Sequence, residues 1–260
     1  MSLHFLSRLE LLLGPEALAY LARCRVAVFG IGGVGSYAAE ALARAGVGNI
    51  VLVDFDNVCL TNINRQIHAL HSTVGRAKVE VMAERIRDIN PACRVEGLKI
   101  FFGPQAGEML TTMELDYVLD AIDNVTGKIE LAVQCREKGI PLIMAMGAGN
   151  KLNPAALQVA DLFATHTCPL AKVMRKELRK RGFRPGDVKV VFSAEEPLVP
   201  RQVEVSCRTH CACNSKERAT SCKLRRQIPG STPFVPPVMG IMMAAEVVRD
   251  LLKKADLLPG

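Results

Sequence analysis

Between the apolar run Arg25-Val26-Ala27-Val28-Phe29 and a stretch of small residues from Ser36 to Ala45 stands Gly30-Ile31-Gly32-Gly33-Val34-Gly35. A G-x-G-x-x-G turn joining a buried strand to a helix leaves few folds open. Glycine permits the tight turn and lets phosphate oxygens approach the backbone. The helix behind it offers unpaired N–H groups and the positive end of its dipole. Gly46 and Gly48 stop that helix, and Ile50-Val51-Leu52-Val53 forms the next strand, ending at Asp54. Asp54 lies 19 residues past Gly35, where a carboxylate can accept from ribose hydroxyls. This βαβ unit binds a nucleotide or dinucleotide, and taken alone it favours NAD.

The remaining chain extends the alternation. Leu3 to Leu21 reads as a helix broken at Gly14-Pro15, with Leu9, Leu12 and Leu13 as its apolar stripe, and Val74 to Ile89 as another, stopped by Asn90-Pro91. Strands are expected over Arg94–Ile100, Tyr117–Ile122 and Pro141–Ala145, with a helix over Lys128–Lys138. After Gly149 the pattern is less regular. A basic helix spans Leu170–Arg181, a strand Lys189–Phe192, and an apolar helix Val238–Leu252. The fold class is therefore α/β: a Rossmann-like, mainly parallel sheet with helices on both faces, plus a C-terminal basic, Cys-containing extension. Residues 1–150 form the nucleotide-binding core. Residues 151–260 continue the same domain with the basic helix, a Cys-rich loop and the last helix.

The segments after the ribose strand turn the expectation away from hydride transfer. Asp54-Phe55-Asp56 runs into Asn62-Ile63-Asn64-Arg65-Gln66, then Gly75 and Lys78. A triphosphate needs such cations to offset its charge, and a nicotinamide does not. Asp120-Ala121-Ile122-Asp123-Asn124 ends another strand at the edge where ligands bind in this architecture. Asp123 is placed to hold Mg²⁺, although Asp123 or Asn124 is equally suited to cap a helix.

These segments, in this order and spacing, resemble the E1-like family of ubiquitin-activating-type enzymes, over about residues 5 to 150. The resemblance implies that Gly32, Gly33 and Gly35 cradle phosphates and Asp54 binds ribose, while Asn62, Arg65, Gln66 and Lys78 contact the phosphates. It also implies a homodimer in which Arg8 reaches the partner subunit's ATP. The full nucleotide-contacting set is then Gly30, Gly32, Gly33, Gly35, Asp54, Asp56, Asn62, Arg65, Gln66, Lys78, Asp123 and Asn124. Arg65, Lys78, Asp123 and Arg8 are the candidate catalytic groups. Within the family, residues 62–70, 83–91 and 169–176 look most like the branch that modifies tRNA. Such enzymes use ATP to adenylate the threonylcarbamoyl carboxylate on adenosine 37 and close it to cyclic t6A. A second branch adenylates the C-terminal glycine of a ubiquitin-like sulfur-carrier protein. A catalytically silent nucleotide-binding adaptor is a third reading. A sulfur-relay or helper protein is a further partner that the family allows.

Charge favours the tRNA branch. The chain of 260 residues carries a net charge of +7, and residues 171–226 hold 15 Lys/Arg against 6 Asp/Glu, leaving −2 for the rest. Arg175, Arg179 and Arg225 are expected on a polyanion-binding face, unless the charge merely solvates the surface. The same region contains four of the nine cysteines, Cys207, Cys211, Cys213 and Cys222. They suit Zn²⁺ first and an iron–sulfur cluster second, with His210 as a substitute ligand and free thiols in a basic loop as the other reading. Low aromatic content, 5% with no Trp, argues against a carbohydrate or aromatic-cage binder. No run of about 18 apolar residues exists to span a membrane, and residues 1–10 lack the order of a signal peptide, so a cytoplasmic location is expected.

Overall fold

The computed structural model describes residues 4–103, 110, 112–201 and 229–259. Its strands are β1 (Arg25–Phe29), β2 (Asn49–Val53), β3 (Arg94–Leu98), β4 (Tyr117–Asp120), β5 (Leu142–Ala145), β6 (Leu157–Asp161) and β7 (Lys189–Ser193). The helices are α1 (Ser7–Leu21), α2 (Gly35–Arg44), α3 (Lys78–Ile89), α4 (Val125–Glu137), α5 (Pro169–Lys180) and α6 (Val235–Lys254). The strands form one sheet in the order β3-β2-β1-β4-β5-β7-β6. Every pairing is parallel except β6 with β7. This is the expected α/β class.

Period-two alternation in the strands builds two cores. Val26, Val28, Ile50 and Leu52 face α1, α2, α3 and α6, packing with Leu21, Leu42, Met82 and Met243. Ala27, Phe29, Val51 and Val53 face the other side, where Leu131 and Cys135 of α4 cover them. Farther along that face Met174 and Leu178 of α5 pack on Met144, Val190 and Phe192. A parallel sheet covered on both faces needs near-continuous apolar strands, as β1, β2, β4, β5 and β7 are; β3 and β6, at the two edges, are more exposed.

Local chemistry sets the boundaries. Gly14, at φ 79°, interrupts α1 ahead of Pro15. Of the apolar stripe expected on α1, Leu13 packs against the core while Leu12, like the neighbouring Leu11, stays exposed. α3 begins at Lys78, four residues later than expected, because a 3-10 turn at His71–Thr73 and Gly75 at φ 91° come first. α4 begins at Val125, three residues early, because the Asn124 side chain accepts from the Gly127 N–H at 2.6 Å. α6 starts at Val235 because Pro236 and Pro237 fit a first turn, where no N–H is needed. Strand β6 had no expected counterpart. Among the described residues no helix is long and apolar enough to cross a membrane.

Candidate active site

The strand order reverses between β1 and β4, and the crevice there is where this architecture holds ligands. The glycine loop follows β1 and the Ala121–Asn124 loop follows β4, so both line that crevice. Their contact is close: a Cβ on Gly30, which sits at φ 85°, would lie 2.6 Å from the Ala121 carbonyl oxygen. A Cβ on Gly35 would lie 1.9 Å from the Gly30 oxygen. These two glycines are required by the turn itself. Gly32 differs, because the nearest atom to a Cβ there is Gln66 Nε2 at 3.9 Å. Its surface is open on the crevice side, as a phosphate cradle requires. Gly33 is enclosed by the Arg65 stem and Pro236 of α6.

Asp54, at the end of β2, is buried and accepts from two backbone donors, Ile31 N–H at 2.6 Å and Asp56 N–H at 2.8 Å. The first of these ties the Asp54 carboxylate to the glycine loop. Burial pushes its carboxyl above the ordinary value, while Lys78 and the backbone donors pull the other way. Lys78 opens α3, buried, with Nζ 2.8 Å from Asp56 and 3.9 Å from Asp54. Burial alone would lower its pKa, but the two carboxylates outweigh that and raise it, with Asp123 adding to the effect. Lys78 is therefore a fixed cation at neutral pH. Asp123 is exposed just past β4, within electrostatic reach of it.

The other expected residues divide. Arg65 lies beside the glycine loop, its Nη1 donating to Thr61 O at 2.9 Å and Asn64 Oδ1 at 2.8 Å. Gln66 is buried against Gly32, and its Oε1 has no hydrogen-bond partner among the described residues. Asn62 is buried, with Oδ1 accepting from the Cys59 N–H at 3.0 Å, which commits that oxygen to holding its own turn. The Asn124 oxygen is similarly committed to capping α4. Arg8 is exposed on α1, next to the exposed Leu11 and Leu12. Arg175 is not displayed as a surface cation. Its Nη1 donates to the Thr165 carbonyl at 2.8 Å and to the Thr165 hydroxyl, pinning the turn before α5. Lys172, Lys176, Arg179 and Lys180 remain exposed on that helix, with Arg179 over the Phe163 ring. Arg225, Cys207, Cys211, Cys213, Cys222 and His210 lie outside the described residues.

Two groups beneath the site escape sequence reasoning. Lys128, on α4, is fully buried with Nζ 3.1 Å from Asp120 and 2.7 Å from the Ala145 oxygen. It joins the ends of β4 and β5 under the loop that carries Asp123. An Asp followed eight residues later by a Lys in an otherwise apolar helix face is the only signal, and it reads more readily as a surface lysine. His68 is buried with neither ring nitrogen hydrogen-bonded among the described residues, and burial, Lys78 and Arg85 hold its pKa down at about 3.

Set against known proteins, this arrangement has clear relatives. The family model described as the ThiF family matches residues 6–259. The chain belongs to the ThiF family. Among its relatives is the tRNA threonylcarbamoyladenosine dehydratase of Bacillus subtilis, 49% identical over 98% of this chain and 97% of that one. A solved structure of the E. coli tRNA N6-threonylcarbamoyladenosine dehydratase in complex with ATP superposes with a TM-score of 0.80 at 38% identity, covering 94% of this chain and 91% of that one. The molybdopterin-synthase adenylyltransferase of E. coli is 38% identical, but over only 50% of this chain and 51% of its own.

Proposed function

We propose that this chain is an ATP-dependent enzyme that adenylates the threonylcarbamoyl carboxylate on adenosine 37 of tRNA and closes the product to cyclic t6A. The observation that carries the reading is the match over 98% of the chain to the tRNA threonylcarbamoyladenosine dehydratase of Bacillus subtilis, where the molybdopterin-synthase adenylyltransferase matches half of it. The site is consistent with the chemistry. A carboxylate oxygen attacks the α-phosphorus of ATP and pyrophosphate leaves. Two anions must approach, so fixed positive charge and placement are the main requirements. Lys78, beside Asp54 and Asp56, and Arg65, beside Gly33, supply charge, and the glycine-loop N–H groups add oriented dipoles. A nucleophile within the substrate then attacks the acyl carbon and expels AMP, with no protein thiol required. Cys168, packed against Gly147 just past β5, is buried and free.

Magnesium fits this site at Asp123. Among the described residues no three His, Cys, Asp or Glu side chains converge. One exposed carboxylate beside a phosphate cradle suits a cation that takes its other oxygens from substrate phosphates and water. When bound, Mg²⁺ would offset phosphate charge. We place the end of the ATP-binding core near residue 150, with residues 151–260 continuing the domain. The exposed cations of α5 would contact tRNA phosphates in the cytoplasm. The cysteines would hold Zn²⁺ or an iron–sulfur cluster in the adjoining loop, which metal analysis of the purified chain tests. The exposed Leu11 and Leu12 beside Arg8 support a homodimer with Arg8 entering the neighbouring site. Mixing inactive Arg8→Ala and Asp123→Ala chains should then restore activity, and sedimentation as a monomer would refute it. A helper protein is required only if the purified chain fails to turn over alone. The function itself is tested by ATP–pyrophosphate exchange. It should depend on t6A-bearing tRNA and ignore ubiquitin-like carriers; exchange only with a carrier would favour the sulfur-carrier reading.

A further inference from the structure

Asn64 lies among the expected phosphate contacts without being one of them, exposed between Ile63 and Arg65. Its side chain bonds in two directions. Oδ1 accepts from Arg65 Nη1 at 2.8 Å, and Nδ2 donates to the Ser231 carbonyl at 3.0 Å, 167 residues along the chain. Ser231 belongs to the short segment that leads into α6 and seats Pro236 on Gly33, opposite the Arg65 stem. That segment is itself anchored. Gly230 N–H donates to Asn150 Oδ1 at 2.6 Å, and Asn150 N–H donates to the Gly230 oxygen at 2.8 Å.

An arginine side chain has several free torsions, so a guanidinium beside a phosphate site is effective only when something restricts it. Thr61 O and Asn64 Oδ1 both accept from Nη1 and do so here. An asparagine amide, however, presents either its oxygen or its nitrogen in a given direction. The Ser231 carbonyl accepts and cannot donate. It therefore selects the orientation in which Nδ2 faces Ser231 and Oδ1 faces Arg65. We infer that Asn64 is a positioning residue, held by Ser231, that aims the Arg65 guanidinium at the phosphates of ATP. The inference rests on the reading of Arg65 as a phosphate contact.

A double-mutant cycle separates the two ideas. ATP–pyrophosphate exchange at saturating t6A-bearing tRNA is measured for wild type, Asn64→Ala, Arg65→Ala and the double variant. Thermal midpoints serve as a check on the fold. Loss of one charge-assisted hydrogen bond should lower exchange about tenfold in Asn64→Ala. In the Arg65→Ala background the same change should cost less than about twofold, because nothing remains to be aimed. Asn64→Asp keeps an acceptor for Arg65 but sets its second oxygen against the Ser231 carbonyl, which Nδ2 meets at 3.0 Å in the wild type, so it should recover only part of the loss. Equal losses from Asn64→Ala in both backgrounds would overturn the inference. Wild-type exchange in Arg65→Ala would instead overturn the phosphate assignment beneath it.

Discussion

Replacing Lys78 with methionine keeps much of the buried stem and removes the ammonium. The geometry attaches two costs to this change, and they fall on different measurements. The first is catalytic. With Lys78 facing the ATP phosphates as proposed, its charge should contribute about 2.7–4 kcal/mol to the transition state, so exchange should fall roughly 100- to 1,000-fold. The second is structural. Nζ lies 2.8 Å from Asp56 and 3.9 Å from Asp54. Orphaning a fully buried charge costs about 3–5 kcal/mol. Here the Asp56 carboxylate is 41% exposed and recovers water, and Asp54 keeps two backbone donors. The loss should shrink to about 1–3 kcal/mol. For a chain of this size that lowers the thermal midpoint by roughly 2–12 °C. Arg65→Ala supplies the contrast. Its guanidinium hydrogen bonds lie at the exposed surface, so it should lose comparable exchange with about 0.5 kcal/mol or less of stability. Exchange and differential scanning calorimetry on both variants decide the matter. Near-wild-type exchange in Lys78→Met, or a midpoint for Arg65→Ala as low as that for Lys78→Met, would refute the reasoning.

Two further outcomes are expected. Gly32→Ala should fold normally, since the nearest atom to the new Cβ is 3.9 Å away, yet bind ATP weakly; Gly35→Ala, whose Cβ would meet the Gly30 oxygen at 1.9 Å, should lose much of its stability. Equal ATP affinity in Gly32→Ala and wild type, measured by calorimetry, would show that Gly32 is no part of the phosphate cradle. His68 is held at a pKa of about 3 against an ordinary 6.5, so the unfolded chain takes up its proton first as pH falls. The stability it protects is complete above pH 6.5 and is lost as pH drops toward 3, by roughly 2 kcal/mol at pH 5. A His68→Phe variant should show a flatter denaturation profile between pH 6.5 and 5, and an unchanged slope would contradict this.

The inner strands β1, β2, β4, β5 and β7 were legible because they are short apolar runs punctuated by glycine, Asp54 and Asp120, and because each alternates between two buried faces. Strand β6 was not legible. It lies at the sheet edge, where Gln158 and Val159 face solvent and the sequence shows no apolar run. The clustering of the expected site residues was legible where they sit in short stretches of chain: the structure brings Gly30 to Gly35, Asp54 and the 62–66 turn together, and their contact with a nucleotide is what we propose. The parts that depend on distant pairing were hidden. Nothing local announces that Asn64 meets Ser231, that Lys128 turns inward to Asp120, or that Arg175 spends its charge on Thr165. Asn124 was ambiguous in sequence for a physical reason: the residue that ends a strand at the ligand edge is also the one that caps the next helix.

The most direct test of the proposed reaction is made on the nucleosides. The purified chain is incubated with ATP, Mg²⁺ and tRNA bearing t6A, and the digested tRNA is examined by mass spectrometry while AMP and pyrophosphate are counted. Conversion of t6A to a product lighter by one water is expected, with one AMP and one pyrophosphate released for each conversion, and no conversion without ATP. Unchanged t6A, alongside ATP cleavage that requires a ubiquitin-like carrier protein, would contradict it.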